Sequence, residues 1–305
     1  MTDVVWLASY PKSGNTWLRI LLGCLSLRDG EAVDINELPS GTASARAPLD
    51  FHMLIDSGLL THDEIDCLRP RLHEILAGEQ VFESTPEAGT PVRFVKTHDA
   101  YTLTPNGEPL LAGRRGAKGA ILIVRDPRDI APSLANHLEA TTDAAIEFMG
   151  NADASFCGKP DRQDSQLRQK LPGWSGHVAS WLEQSDIPVQ VLRYEDLRND
   201  TAGTVLKALR FSGWPVARES VEHAVALAAF DNLQAQERAA GFGEWFARGS
   251  SGKLFFRRGE AGGWRGELTA EQVARIERAH GPMMQRLGYE LAAGRQTAFE
   301  DGRRA

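Results

Sequence analysis

Cysteine is scarce: Cys24, Cys67 and Cys157 are the only three in 305 residues, widely spaced and without C-x-x-C or metal-ligand spacing. They read as reduced, buried thiols, which excludes a disulfide framework and a cysteine-ligated metal. Long apolar runs are missing too. The longest near the N-terminus, Ile20 to Leu27, is far too short to cross a bilayer and contains Gly23, Cys24 and Ser26. Basic charge is in deficit, since 34 Lys and Arg stand against 41 Asp and Glu and leave a net charge of -7. A general nucleic-acid binder carries the opposite sign, so any anion site must be a local basic cluster in an acidic molecule. There is no internal repeat and no low-complexity domain. What is present is an ordinary globular composition, 42% hydrophobic and 25% charged, long enough for one large α/β domain. Residues 1–292 are expected to form that domain, with 293–305 a frayed tail.

The chain is organised around Val4 to Leu22. Val4 to Ser9 is apolar and β-prone, as a buried central strand should be, and Leu18, Leu21, Leu22 and Leu25 follow at helical spacing. The turn between, across Tyr10 to Asn15, holds Pro11, Lys12, Ser13, Gly14 and Asn15. Amides of such a turn and of the following helix start are unpaired and point at one place, which suits a phosphate. Lys12 adds a full charge, Ser13 and Thr16 add hydroxyls, and Trp17 offers a flat face to a base. The order differs from the Walker A loop, G-x-x-x-x-G-K-[ST], because Lys12 precedes Gly14 and no Gly stands upstream. A cleaved signal peptide would carry this loop away, so a cytoplasmic protein without a membrane anchor is expected.

Polar residues then recur at strand ends. Arg28 to Pro48 lacks periodicity and reads as a long connection, and Phe51, Met53, Leu54 and Ile55 as core or one wall of a pocket. Thr61 and Glu64 form a capping box for a helix to about Ala77. Val92 to Val95 is a strand ending in Lys96-Thr97-His98, with Tyr101 beyond it as a candidate to line a binding site. Ala120 to Val124 is the clearest buried strand, closed by Arg125-Asp126-Pro127-Arg128, whose proline suits a first helical turn. Taken alone, Arg125, Asp126 and Arg128 would be a surface ion-pair cluster of little consequence. Val189 to Leu192 is a further strand, ending at Arg193-Tyr194-Glu195. Helices are expected over Thr201 to Ser212, Arg218 to Ala228 and Thr269 to Leu287. Gln234 to Gly252 looks mobile, and Asp231 to Gly262 is expected to act as a lid ordered by the ligand. The alternation of strand and helix gives an α/β fold with a central, mainly parallel sheet flanked by helices.

YPKSGNTW, Tyr10 to Trp17, resembles the YPKSGTTW phosphosulfate loop of soluble sulfotransferases that use 3′-phosphoadenosine 5′-phosphosulfate (PAPS); Asn15 is the one departure. The resemblance recurs along nearly the whole chain, in family order. Lys96-Thr97-His98 matches the catalytic K-T-H. Arg125, with Ser133 eight residues on, matches the pair that holds the ribose 3′-phosphate. Gly173 to Trp181 is similar to a structural helix, which implies that His177 is not catalytic. Tyr194-Glu195-Asp196 matches the Y-E-D whose Tyr lies near adenine, and Phe230 survives from a Thr-Ser-Phe that contacts adenine. Phe255 to Arg265 is similar to F-x-R-K-G-x-x-G-D-W-K, implying that Arg257, Arg258 and Gly259 meet the 3′-phosphate; Gly263 and Arg265 replace the Asp and the last Lys.

The family's P-loop-like fold and its reaction, sulfuryl transfer from PAPS to an acceptor hydroxyl or less readily an amine, follow as expectations. His98 would be general base, Lys12 would stabilise the departing oxygen and Lys96 the sulfuryl oxygens. Ser133 would bridge the 3′-phosphate and Lys12. The donor would lie on Lys12, Ser13, Gly14, Asn15, Thr16, Trp17, Arg125, Ser133, Tyr194, Phe230, Arg257, Arg258 and Gly259. Lys, Arg and loop amides can cover the charge without a metal. The expected partner is a small hydroxyl-bearing acceptor, with no nucleic acid and an undetermined oligomeric state. Two alternatives differ in class: an ATP-dependent small-molecule kinase, which would need Mg²⁺, and a catalytically idle nucleotide-binding paralogue, which would have no use for His98.

Overall fold

The structure, a computed structural model, describes residues 3–27, 32–78, 92–159, 161, 164–245, 254–257 and 259–292. Arg258, the middle of the expected lid and the expected tail lie outside the described residues. Four strands, β1 (Val4–Ser9), β2 (Arg93–Thr97), β3 (Gly119–Val124) and β6 (Val189–Arg193), form one parallel sheet in the order β2-β1-β3-β6. A separate antiparallel pair joins β4 (Ser155–Phe156) to β5 (Gln169–Lys170). Every residue of β1 and β3 is buried, which is why their runs are continuously apolar rather than alternating.

Both sheet faces are covered. Val5, Leu7, Ile121 and Ile123 point to one core, shared with α1 (Asn15–Ser26) and, later in the chain, α8 (Thr201–Ser212) and α9 (Arg218–Leu227). Val4, Trp6, Ala8, Leu122 and Val124 point to the other. That core takes α4 (Pro127–Leu138), α5 (Thr142–Gly150), α6 (Gly173–Glu183) and α11 (Ala270–Arg286). A satellite cluster of Leu49, Ile65, Leu72 and Leu167 joins α2 (Arg46–Met53) to α3 (His62–Gly78). Among the described residues the remaining α-helices are α7 (Tyr194–Asn199) and α10 (Phe230–Ala240). Because the first crossover places β2 on one side of β1 and the second places β3 on the other, the strand order reverses between β1 and β3. In open α/β sheets the crevice beyond the carboxyl ends at that reversal holds the ligand.

Several local expectations change. Phe51 and Leu54 are not core but 73% and 89% exposed, because two-turn α2 turns only one stripe, led by Leu49, inward. Cys24 is buried, whereas Cys67 and Cys157 are only half-buried. Residues 234–240 are not loose but complete α10, where buried Leu233 and Glu237 fix its inner face. Tyr101 turns away from the crevice, its hydroxyl donating to Asp186 and its ring packing on Trp181. Asp126 and Arg128 are no surface pair. Both are buried, with Arg128 donating to Asp126 at 2.7 Å and to Glu277 of α11 at 2.7 Å.

Candidate functional site

All four parallel strands deliver a polar group to the same end of the sheet. β1 leads to Lys12, β2 to Lys96 and His98, β3 to Arg125, and β6 to Tyr194; all of these side chains line one cleft of about 540 Å³. Gly14, Asn15, Thr16, Trp17, Ser133, Phe230, Arg257 and Gly259 line it as well. Ser13 does not: it is fully enclosed, and its hydroxyl has no hydrogen-bond partner among the described residues.

Two glycines bring separate parts of the chain together. Gly14, at φ +101°, closes the loop at the helix start, and a Cβ there would come within 2.6 Å of the Tyr194 ring. Gly259, at φ +63°, would place a Cβ 2.6 Å from the Phe230 ring. Each motif glycine thus makes room for a motif aromatic far along the chain. Lys12 also holds a positive φ, +68°, without being glycine, a backbone strain that is found where the surroundings enforce it. Arg125 supplies part of that enforcement: its guanidinium donates to the Lys12 carbonyl at 3.1 Å and to the Glu260 carbonyl at 2.9 Å, and stacks 4.3 Å above the Tyr194 ring. Trp17 packs edge-on to Tyr194 and donates from Nε1 to the Ala228 carbonyl.

The tautomer of His98 is set by its neighbour. Nδ1 lies 2.8 Å from the Ser9 carbonyl, which can only accept, so Nδ1 carries the proton and Nε2 the lone pair. Burial, and then the Lys96 ammonium, hold the imidazolium well below the ordinary histidine range. His177 Nε2 donates to the His98 carbonyl at 3.1 Å from a fully buried position, a bracing role. Asn15 turns its amide inward, donating to the Leu7 carbonyl at 2.8 Å and to the Ser9 hydroxyl at 3.1 Å. The one letter that departs from the usual loop therefore ties that loop to the residue which orients His98.

The cations differ in their partners. Lys96 is 3.1 Å from Glu244, and Arg19 grips the same carboxylate at 2.7 and 2.8 Å. Burial lowers Lys96, opposed by Glu244. Arg257 forms a two-pronged pair with Glu267, at 2.6 and 3.1 Å. Lys12 has no carboxylate partner among the described residues; its Nζ stands 3.6 Å above the centre of the Phe255 ring. Burial first, then Arg125 and Lys96, bring Lys12 down to about 7. His137 also lines the cleft, lowered to about 3 by burial and then by Lys12 and Lys96.

Sequence reasoning missed Ser9, Glu244, Phe255, Glu237 and His137. Ser9 and Glu244 act on partners 89 and 148 residues away, with no local pattern to mark them; Glu237 acts through Phe255 and Phe256, and Phe255 was read only as the first letter of a motif. His137 could have been found as the residue one turn beyond Ser133 on the same helix face. Between Thr141 and Pro172, Phe156, Cys157 and Gln169 also contribute to the lining.

A model of the family described as "Sulfotransferase domain" matches residues 2–288. The chain is 26% identical over 283 residues to cytosolic sulfotransferase 17 of Arabidopsis thaliana, covering 89% of this chain and 71% of that one. It is 25% identical over 284 residues to flavonol 3-sulfotransferase of Flaveria bidentis, covering 90% and 79%. Among solved structures, mouse sulfotransferase SULT7A1 complexed with adenosine 3′,5′-bisphosphate (PAP) has a similar fold, with a TM-score of 0.55 at 21% identity over 92% of this chain and 84% of that one. A match over residues 2–288 takes in all four strand ends that build the cleft, and on that ground the chain belongs to the sulfotransferase domain family.

Proposed function

We propose that the protein transfers a sulfuryl group from PAPS to the hydroxyl of a small acceptor by in-line displacement, with His98 as general base. The observation that carries this reading is the His98 ring itself: Nδ1–H is spent on the Ser9 carbonyl, leaving Nε2 as a free acceptor in a cleft also lined by Lys12, Lys96 and Arg125. A neutral imidazole at the edge of a cationic cleft is what proton removal from a hydroxyl beside an anion requires. The residues fit the donor. The amides that open α1 have no intrahelical partners, Arg125 Nε is enclosed with no hydrogen-bond partner among the described residues, and Trp17, Tyr194 and Phe230 offer aromatic faces beside the cations.

Bound there, PAPS supplies the sulfuryl group and departs as PAP. Lys12 and the Gly14–Trp17 backbone would hold the 5′-phosphate, and Arg125, Ser133 and Arg257 the 3′-phosphate. Arg258 is proposed from the motif alone. Arg257 must then exchange Glu267 for phosphate, a trade between two anions that costs little at a half-exposed site. Trp17, Tyr194 and Phe230 would frame the adenine, with Gly14 and Gly259 admitting their neighbours. Lys96, held beside His98 by Glu244, would face the transferring group. His98 would take the hydroxyl proton on Nε2 while Ser9 holds the ring. The domain is proposed to span 1–292. A relative named for flavonols supports a small acceptor.

The test is a screen of acceptor mixtures incubated with enzyme and PAPS, read by mass spectrometry for sulfated products. Sulfation that depends on His98, together with PAP binding much tighter than ATP binding, supports the reading. Phosphorylated products formed from ATP and magnesium would overturn it.

A further inference from the structure

We propose that Phe255 is a positioning residue for Lys12: the face of its ring takes the place of a carboxylate counter-ion, holding the ammonium at the loop without cancelling its charge. This rests on the donor reading above. The two lysines of the cleft are secured by opposite means. Lys96 has Glu244 at 3.1 Å, a charged partner that fixes its position and, though shared with Arg19, offsets part of its charge. Lys12 has a ring at 3.6 Å and no carboxylate partner among the described residues. A carboxylate would compete with the ligand's phosphate for the same ammonium. A π-face attracts the cation through its quadrupole, more weakly than a full charge, and leaves its charge available.

The ring is built to stay in place. Glu237, buried on α10, accepts the backbone N–H of Phe255 at 2.6 Å and of Phe256 at 2.9 Å. Phe242 packs on Phe255 at 4.7 Å between centroids, Phe256 at 5.2 Å, Trp245 at 6.4 Å and His137 at 6.5 Å. Five groups from four parts of the chain thus aim one face at Lys12. The need is electrostatic. Arg125, Lys96 and Arg257 all oppose charge on Lys12, His137 is neutral, and Glu237 favours the charge. Without the ring, Lys12 would lose its proton at lower pH.

Calorimetry of PAP binding at pH 6 and pH 8 tests this. At pH 6 Lys12 is largely charged with or without the ring, so Phe255→Leu should change affinity by less than about twofold. At pH 8 the variant should bind roughly 3- to 10-fold more weakly, the range expected from a partly desolvated cation–π contact. Phe255→Tyr, which keeps the face, should behave as wild type, and in a Lys12→Gln background Phe255→Leu should lose its pH-dependent effect. Phe255→Met keeps bulk without a π-face and gives the same reading if Phe255→Leu fails to fold. Equal losses at both pH values, or a pH-dependent loss that survives Lys12→Gln, would mean that the ring only fills space and overturns the proposal. No PAP binding by the wild type at either pH would overturn the donor reading, and this inference with it.

Discussion

At His98, burial and the Lys96 ammonium disfavour the imidazolium, so the ring stays neutral through the neutral pH range. A base that is depressed in this way keeps its lone pair as pH falls through 6.5 and loses it only well below. The acid limb of kcat/KM should therefore lie well under pH 6.5, and a limb centred at or above that value would contradict the assignment. His98→Ala should lower kcat by about 10²- to 10⁴-fold while PAP affinity changes little, because in the proposed reaction the ring would take the acceptor's proton without meeting the donor's phosphates. Lys12 is lowered in the same direction but would be needed in its charged form. Its pKa of about 7 means that part of the population lacks the charge near neutrality, and an anion bound beside it raises that pKa. PAP binding should thus take up protons above pH 7 and weaken as pH rises, seen as a dependence of calorimetric enthalpy on buffer ionisation enthalpy. No proton uptake at pH 8 would remove Lys12 from the anion site.

Between elements, the decisive contacts are those that join one motif to another. Gly14 lies under the Tyr194 ring, so Gly14→Ala meets both a positive φ and a 2.6 Å approach. It should destabilise the protein by about 2–4 kcal/mol. Trimming the ring relieves the overlap but not the φ strain, so Gly14→Ala/Tyr194→Ala should fall short of the summed single effects by roughly 1–3 kcal/mol in urea unfolding. Additive losses would show that ring and loop do not touch. Arg128 joins α4 to α11 through Asp126 and Glu277 inside the protein, and Arg128→Ala should cost about 3–5 kcal/mol by leaving buried carboxylates uncompensated. The Arg128–Asp126 pair could be read from adjacent letters, but its burial, the Arg128–Glu277 bond and the approach of Gly14 to Tyr194 were not visible along the chain. The four strands of the parallel sheet, the cap at Thr61 and Pro127 at the start of α4 were legible because each is decided within a few residues, whereas the two-residue strands β4 and β5 were not read. Phe51 and Leu54 misled because apolar letters alone do not say which stripe of a short helix turns inward.

For the molecule as a whole, the α/β sheet and the residues at its strand ends could be read because a parallel sheet places every such end on one side. Lys12, Lys96, His98, Arg125 and Tyr194 needed no distance information to be grouped. Glu244 did, being 148 residues from Lys96, in a stretch whose Gly content pointed to looseness rather than to an ion pair. The same separation of local from global governs ligand approach. A net charge of -7 predicts that an anionic nucleotide is repelled on average, and added salt should then speed its association by screening that repulsion. The cleft predicts the reverse, since Lys12, Arg125 and Arg257 are gathered at a concave mouth whose low-dielectric walls focus their field. At separations beyond about 10 Å in ordinary buffer the distant carboxylates are screened, and the cluster is what an arriving phosphate meets. Stopped-flow association of PAP, followed by tryptophan fluorescence with Trp17 at the site, should slow as salt rises from roughly 0.01 M to 0.2 M, the range over which screening tightens most. Arg125→Ala should flatten that slope. A rate that rises with salt would show that the acidic surface, not the cleft, sets the approach.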